Sequence, residues 1–214
     1  MSAYLILENG RVFEGEFFGA QGEVTGEIVF TTGMMGYLET ITDPSYYGQI
    51  VLQTFPLIGN YGVIPEDFEN ANVGVKAYIA KYPCKTPSNF RSKKNLDAFF
   101  KERGIIGLCG IDTRSLTKII RENGVMNGKI SASEPKDSDF EEIKKYKVIN
   151  PIAAVSQKAI TKIDDGTCKP DHLRAVRRIA LMDFGAKGGI ANALFKRNCE
   201  VWAFPYDTAA DEIL

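Results

Sequence analysis

The sequence predicts an α+β domain over residues 1–150, a connector over 151–177 and the first βαβ of an α/β domain over 178–214. Three observations carry this reading. Asn9-Gly10 separates two β-prone runs, the apolar period turns helical near residue 92, and a strand, glycine turn, helix and strand follow one another after residue 178. Asn-Gly is a strong hairpin signal because both turn residues need positive φ. A strand–helix–strand order within about 30 residues is the length of a βαβ unit.

The first 80 residues read as β structure. Residues 4–8 and 11–17 flank the Asn9-Gly10 turn as hairpin strands. Residues 27–32 form a further strand, residues 49–55 are apolar enough for a buried strand, and residues 73–82 alternate until Pro83. The frequent glycines between these runs suit turns and bulges of a compact β unit rather than a parallel sheet.

Helices and short strands follow. Leu96, Phe99 and Phe100 fall at i, i+3 and i+4, and Gly104 is placed to end that helix as a left-handed C′ residue. Residues 105–108 form a short apolar strand. Asp112 is placed to cap a helix whose apolar face is Leu116, Ile119 and Ile120, stopped by Asn123-Gly124. Residues 125–131 return as a strand, and Ser138 with Glu141 has the capping-box spacing for a short charged helix to about Lys145. The connector holds Asn150-Pro151, Asp164-Asp165-Gly166 and a basic cluster at Arg174, Arg177 and Arg178, with room for a strand at 159–163. Residues 178–183 then form a strand, Gly185 to Gly189 a turn, residues 190–197 a helix and residues 200–204 a second strand. Thr208 and the residues after it resemble an N-cap and first helical turn. A lone βαβ leaves sheet faces uncovered, so the expectation is that this domain continues beyond Leu214.

Composition excludes several classes. With 26 Lys+Arg against 27 Asp+Glu, the net charge of −1 lacks the basic excess of a nucleic-acid or membrane-surface binder. Residues 1–10 have neither a basic n-region nor an apolar h-region, and no apolar run approaches the ~20 residues of a membrane helix. A cytoplasmic protein with reduced thiols is expected. Cys84, Cys109, Cys168 and Cys199 form no Cys-x-x-Cys pair, and His172 is the one histidine, so no zinc set is expected.

Four features invite chemistry. The Gly185-Ala186-Lys187-Gly188-Gly189 turn could cradle a phosphate, but its spacing is neither a dinucleotide fingerprint nor a Walker loop, and turn geometry is favoured. Cys168 and His172 lie four apart in the connector with Pro170 between them, which disfavours a shared helical face. Arg114, Lys118 and Arg121 share one helix face, read as solvated. Thr42-Asp43-Pro44-Ser45-Tyr46 is a dense polar turn in which Pro44 fixes φ, Asp43 can bond the backbone two residues on, and Ser45 presents a hydroxyl.

Several segments together carry a family resemblance. These are Gly26 to Glu39 (Gly-Glu-Ile-Val-Phe-Thr-Thr-Gly-Met-Met-Gly-Tyr-Leu-Glu), Asp43-Pro44-Ser45-Tyr46, Ile58-Gly59-Asn60-Tyr61-Gly62 and Ser88-Asn89-Phe90-Arg91. Ile111-Asp112-Thr113-Arg114-Ser115-Leu116-Thr117, residues 121–128 and Asp183-Phe184-Gly185-Ala186-Lys187 continue the series in order. The chain thereby resembles the small, glutamine-hydrolysing subunit of carbamoyl-phosphate synthase over residues 4–207.

The resemblance implies a swivelling β/β/α N-terminal domain followed by a class I glutaminase domain. It implies that a Cys nucleophile, a His base and a Glu orienter release ammonia from L-glutamine. The ammonia passes to a large subunit that uses ATP, with Mg or Mn, to make carbamoyl phosphate for arginine and pyrimidine synthesis. No cofactor is expected in this chain. The nucleophile elbow, Gly-x-Cys-x-Gly-x-Gln, has no counterpart here, so no catalytic residue is assigned and the chain alone is expected to be inactive. Ser45 matches the family's contact to the glutamine head group. Gly188-Gly189-Ile190 departs from the polar residue and Asn-Ile more usual in the family. The rival readings are a non-catalytic protein-docking module and a nucleotide-binding α/β enzyme using the 185–189 turn.

Overall fold

In a computed structural model of the chain, which describes residues 1–163 and 176–214, the chain opens with the hairpin its Asn-Gly turn demands. Strands β1 (Ser2–Leu7) and β2 (Val12–Gly19) pair antiparallel, and Gly10 sits at φ +85°. Next come β3 (Val24–Thr31), α1 (Tyr37–Thr42), β4 (Gln49–Gln53), β5 (Leu57–Ile58), β6 (Ala77–Ile79) and β7 (Tyr82–Pro83). The first unit is completed by α2 (Leu96–Arg103), β8 (Ile106–Cys109), α3 (Thr113–Asn123), β9 (Met126–Ser131) and α4 (Asp137–Lys145).

Seven of these strands close into a barrel in the order β1-β2-β8-β6-β4-β3-β9. Strands β3, β4, β6 and β8 run parallel to one another, while β1, β2 and β9 join by antiparallel pairs. The expectation of a β unit without parallel pairing is therefore corrected. Parallel neighbours need crossover connections, which α1 supplies between β3 and β4 and α2 between β6 and β8. Residues 73–82 also do not form one strand. Ala77–Ile79 enters the barrel, whereas Tyr82–Pro83 turns aside to pair with Leu57–Ile58.

Strand periodicity separates two cores. Ile50 and Leu52 of β4, with Ala77 and Ile79 of β6, pack with Leu5, Leu7, Ile28, Leu108 and Ile130 along the barrel. Val51 and Tyr78, one residue out of phase, face the opposite way into a second core with Leu38, Ile41, Leu96, Phe99 and Phe100 of α1 and α2. Burial on both faces explains why β4 reads as an unbroken apolar run.

Local signals place the helix ends. Asn95 Oδ1 accepts from Ala98 N at 2.8 Å to start α2, and Gly104 closes it at φ +67°. Asp112 Oδ1 accepts from Ser115 N at 3.0 Å to start α3, whose Leu116, Ile119 and Ile120 join the barrel core. Arg114, Lys118 and Arg121 are exposed. Helix α4 differs from expectation. Its N-cap is Lys136, two residues before the predicted Ser138 cap, because Asp139 Oδ2 accepts from Lys136 N at 2.9 Å while Asp139 Oδ1 holds Lys129.

The chain divides into two units, Met1–Ile149 and Asn150–Leu214. The second contains α5 (Pro151–Val155), β10 (Thr161–Ile163), β11 (Arg177–Asp183), α6 (Gly188–Phe195), β12 (Cys199–Pro205) and α7 (Ala210–Ile213). Its sheet has the order β10-β12-β11, with β11 and β12 parallel across α6 and β10 antiparallel to β12. Ala191 and Phe195 of α6 pack on Val201.

Candidate functional site

The Asp-Pro-Ser turn forms the passage from α1 into β4. At the end of α1, Thr42 donates its hydroxyl to Leu38 O at 2.8 Å and accepts from Glu69 N at 2.9 Å. Asp43, itself buried, turns the chain, and its Oδ1 accepts from Ser45 N at 2.9 Å. Pro44 begins a 3-10 turn closed by Tyr46 N to Asp43 O and Tyr47 N to Pro44 O, both 3.1 Å. The turn is also packed from outside: a Cβ on Gly74 would lie 2.9 Å from Asp43 O. Gly48, at φ +79°, completes the reversal, and its carbonyl accepts from Tyr146 Oη at 2.8 Å.

The result is a fixed backbone carrying an exposed Ser45, whose hydroxyl bonds no partner among the described residues. A serine hydroxyl both donates and accepts, so this position offers a polar ligand two bonding modes without a change of backbone. The bond from Asp43 to the residue two places on was expected from turn chemistry. The supports from Gly74 and Tyr146 join residues distant in sequence and carried no local signal.

Beyond the C-terminal end of β3, two of the sequence motifs meet. Tyr61 Oη accepts from Gly36 N at 3.1 Å and from Tyr37 N at 3.2 Å. Tyr37 Oη donates to Gly62 O at 2.6 Å, and the two rings stack at 4.2 Å between centroids. Gln53 Nε2 donates to Gly33 O, and Tyr78 Oη donates to Gln53 Oε1 at 2.6 Å. Burial raises the phenol pKa of Tyr37, Tyr61 and Tyr78, so all three stay neutral donors and acceptors. The loop between these anchors holds Met34 and Met35 out in solvent.

In the second unit, the glycine turn spends its first N–H groups on the chain's own carboxylate. Asp183 Oδ1 accepts from Gly185 N at 3.0 Å and Ala186 N at 2.8 Å, and Asp183 Oδ2 accepts from Gln157 N at 2.7 Å. A negative side chain therefore stands where a bound phosphate would need those donors. Cys109 is half-buried, and burial, with Glu16 nearby, raises its pKa and keeps it a thiol. Cys84 donates to Thr86 O, and Cys199 is buried at the start of β12. Cys168 and His172 lie outside the described residues. Among the described residues no three His, Cys, Asp or Glu side chains are grouped to hold a metal, and no helix is long and apolar enough to cross a membrane.

A closed barrel of parallel and antiparallel strands with a hydrogen-bonded Asp-Pro-Ser turn, continued by an α/β unit with a mixed sheet, defines a two-unit α/β protein. Residues 5–130 match the family model described as carbamoyl-phosphate synthase small chain, CPSase domain, and the chain belongs to that family. It is 44% identical over 214 residues to the carbamoyl phosphate synthase small chain of Clostridium perfringens, covering all of this chain and 59% of that protein. It is 45% identical over 214 residues to the pyrimidine-specific small chain of Bacillus subtilis, covering 57% of it. The Fusobacterium nucleatum small chain is 46% identical over 212 residues, again with 57% of its length covered. The chain thus spans less than three fifths of these relatives.

Proposed function

We propose that this chain acts within a glutamine-hydrolysing small subunit of carbamoyl-phosphate synthase, which delivers ammonia from L-glutamine to a large subunit for carbamoyl phosphate synthesis. The observation that carries the reading is Ser45: an exposed hydroxyl, with no partner among the described residues, on a backbone fixed by Asp43, within a chain that belongs to this family. In this reading the barrel unit is the swivelling domain, the β11-α6-β12 unit opens the glutaminase domain, and Ser45 binds the amino-acid head group of glutamine. A hydroxyl can donate to the α-carboxylate or accept from the α-ammonium, which orients the side-chain amide without taking part in its hydrolysis. ATP and its Mg or Mn belong to the large subunit in this scheme. No cysteine here lies in a Gly-x-Cys-x-Gly-x-Gln elbow, so the chain by itself releases no ammonia from glutamine.

The test is Ser45→Ala in the complete small subunit assembled with its large subunit. A lost head-group bond raises the KM for glutamine about tenfold, by about 1.4 kcal/mol, while ammonia-fed synthesis is unchanged. An unchanged KM removes Ser45 from the site.

A further inference from the structure

The segment 81–95 combines three properties. It carries five basic residues, Lys81, Lys85, Arg91, Lys93 and Lys94, and no Asp or Glu, in a chain of net charge −1. It holds Phe90, whose side chain is 97% exposed. Its backbone is also pinned along its length. Cys84 N donates to Ile58 O at 2.8 Å, Ser88 N to Asn60 O at 2.9 Å and Lys93 N to Val63 O at 2.9 Å. Around Phe90, Arg91 N donates to Asn89 Oδ1 at 2.8 Å and Ser92 N to Asn89 O at 3.0 Å. Single exposed apolar residues are ordinary. An aromatic ring held in solvent by a tethered loop, in a segment whose own charged residues are all basic, is a preorganised anchor, because little conformational entropy remains to be lost on binding.

The charge names the partner's chemistry. Arg91 is paired with Asp67 at 3.5 Å, and Lys94 is paired with Glu102. The exposed Lys85 and Lys93 have no acidic partner among the described residues, so they are available to a second surface. We propose that residues 81–95 form a protein-docking surface, in which Phe90 enters an apolar pocket while Lys85 and Lys93 face acidic groups around it. A protein partner is favoured over nucleic acid because the chain as a whole lacks a basic excess and the segment presents one anchoring ring rather than a stacking series. Resting on the function proposed above, the partner is the large subunit.

The experiment measures the affinity of the 214-residue chain for the large subunit of the same genome at low and high salt. The variants are Phe90→Ala and the pair Lys85→Glu with Lys93→Glu, with melting temperatures as a control. Both sets of side chains are exposed, so the melting temperature stays at the wild-type value. Phe90→Ala weakens binding at least tenfold at both salts. The charge reversal weakens it at least tenfold at low salt and flattens the salt dependence. Wild-type binding that both variants retain overturns the surface and leaves the partner standing. No binding by the wild type overturns the large-subunit reading and this surface with it. Tighter binding to a single-stranded oligonucleotide than to the large subunit, lost in the same variants, overturns the protein partner.

Discussion

Lys129 Nζ of β9 lies 2.9 Å from Asp139 Oδ1 of α4, with the two side chains only 8% and 12% exposed. Glu142 at 2.8 Å and Glu23 at 3.2 Å complete a ring of carboxylates around the one ammonium. Thr25 donates to Glu142, and Ser131 donates to Glu23. This cluster fastens α4 to the outside of the barrel. Removing the cation strands a buried carboxylate, which costs more than the ion pair is worth. Lys129→Met is expected to lower the unfolding free energy by about 3 kcal/mol, read as a lower urea midpoint.

The same cluster sets a pH dependence. Lys129 holds the Asp139 and Glu142 carboxyls below their usual range, and Ser131, with Lys129, does so for Glu23. Their contribution is present above the unfolded carboxylate value and is lost as pH falls through the depressed folded one. Burial works against the charge on Lys129, but hydrogen bonds to Glu142, Asp139 and Glu23 outweigh it and raise its pKa. That contribution is full below the ordinary lysine value and fades as pH climbs through the raised one. The melting temperature should therefore be flat from about pH 5 to about pH 8, fall below about pH 4, and decline above about pH 9, where the raised Cys109 thiol adds to the loss. In Lys129→Met the acid fall should be shallower, since the carboxylates lose the cation that depresses them.

Tyr61 serves two backbone donors with one oxygen. Tyr61→Phe keeps the ring stack on Tyr37 but leaves Gly36 N and Tyr37 N without an acceptor. The expected loss is about 1–3 kcal/mol in urea unfolding. Tyr61→Ala should cost more, because it removes the stacked ring as well.

Gly10 and Gly19 separate backbone strain from crowding. Both lie at positive φ, but a Cβ on Gly10 meets nothing within 4 Å, whereas one on Gly19 would lie 2.4 Å from Phe100 Cβ and 2.9 Å from Ile105 O. Gly10→Ala should cost about 1 kcal/mol for the backbone alone. Gly19→Ala should cost about 3 kcal/mol or more, since β2 or α2 must also move. Equal urea midpoints for the two variants would refute the crowding account.

What the sequence made legible was local. Asp112, Gly104 and Asn9-Gly10 each act within four residues, and each helix end or turn they announce is in the structure. The bond from Asp43 to Ser45 is of the same kind. Helix α1 was not visible because Gly36 gives it no side-chain cap and its run ends in Thr40-Ile41-Thr42. Its first amide is instead satisfied by Tyr61, which lies 24 residues on. Parallel pairing of Ile28 with Ile50, or of Ile50 with Ala77, depends on registers between distant strands that no short-range pattern encodes. The capping box of α4 was misplaced because Lys129, ten residues before Asp139, fixes which carboxylate faces the barrel.

Closure of the barrel has a consequence for self-association. Every one of its seven strands has a neighbour on both sides, so the barrel offers another chain no free row of N–H and C=O groups. In the second unit, β11 is bonded on one side by β12 and, among the described residues, has nothing on the other. The other edge strands, β10, β5 and β7, are three residues long or shorter, so fibrils or swapped oligomers grown by strand addition would be templated by the seven residues Arg177–Asp183, with the barrel carried as an intact passenger.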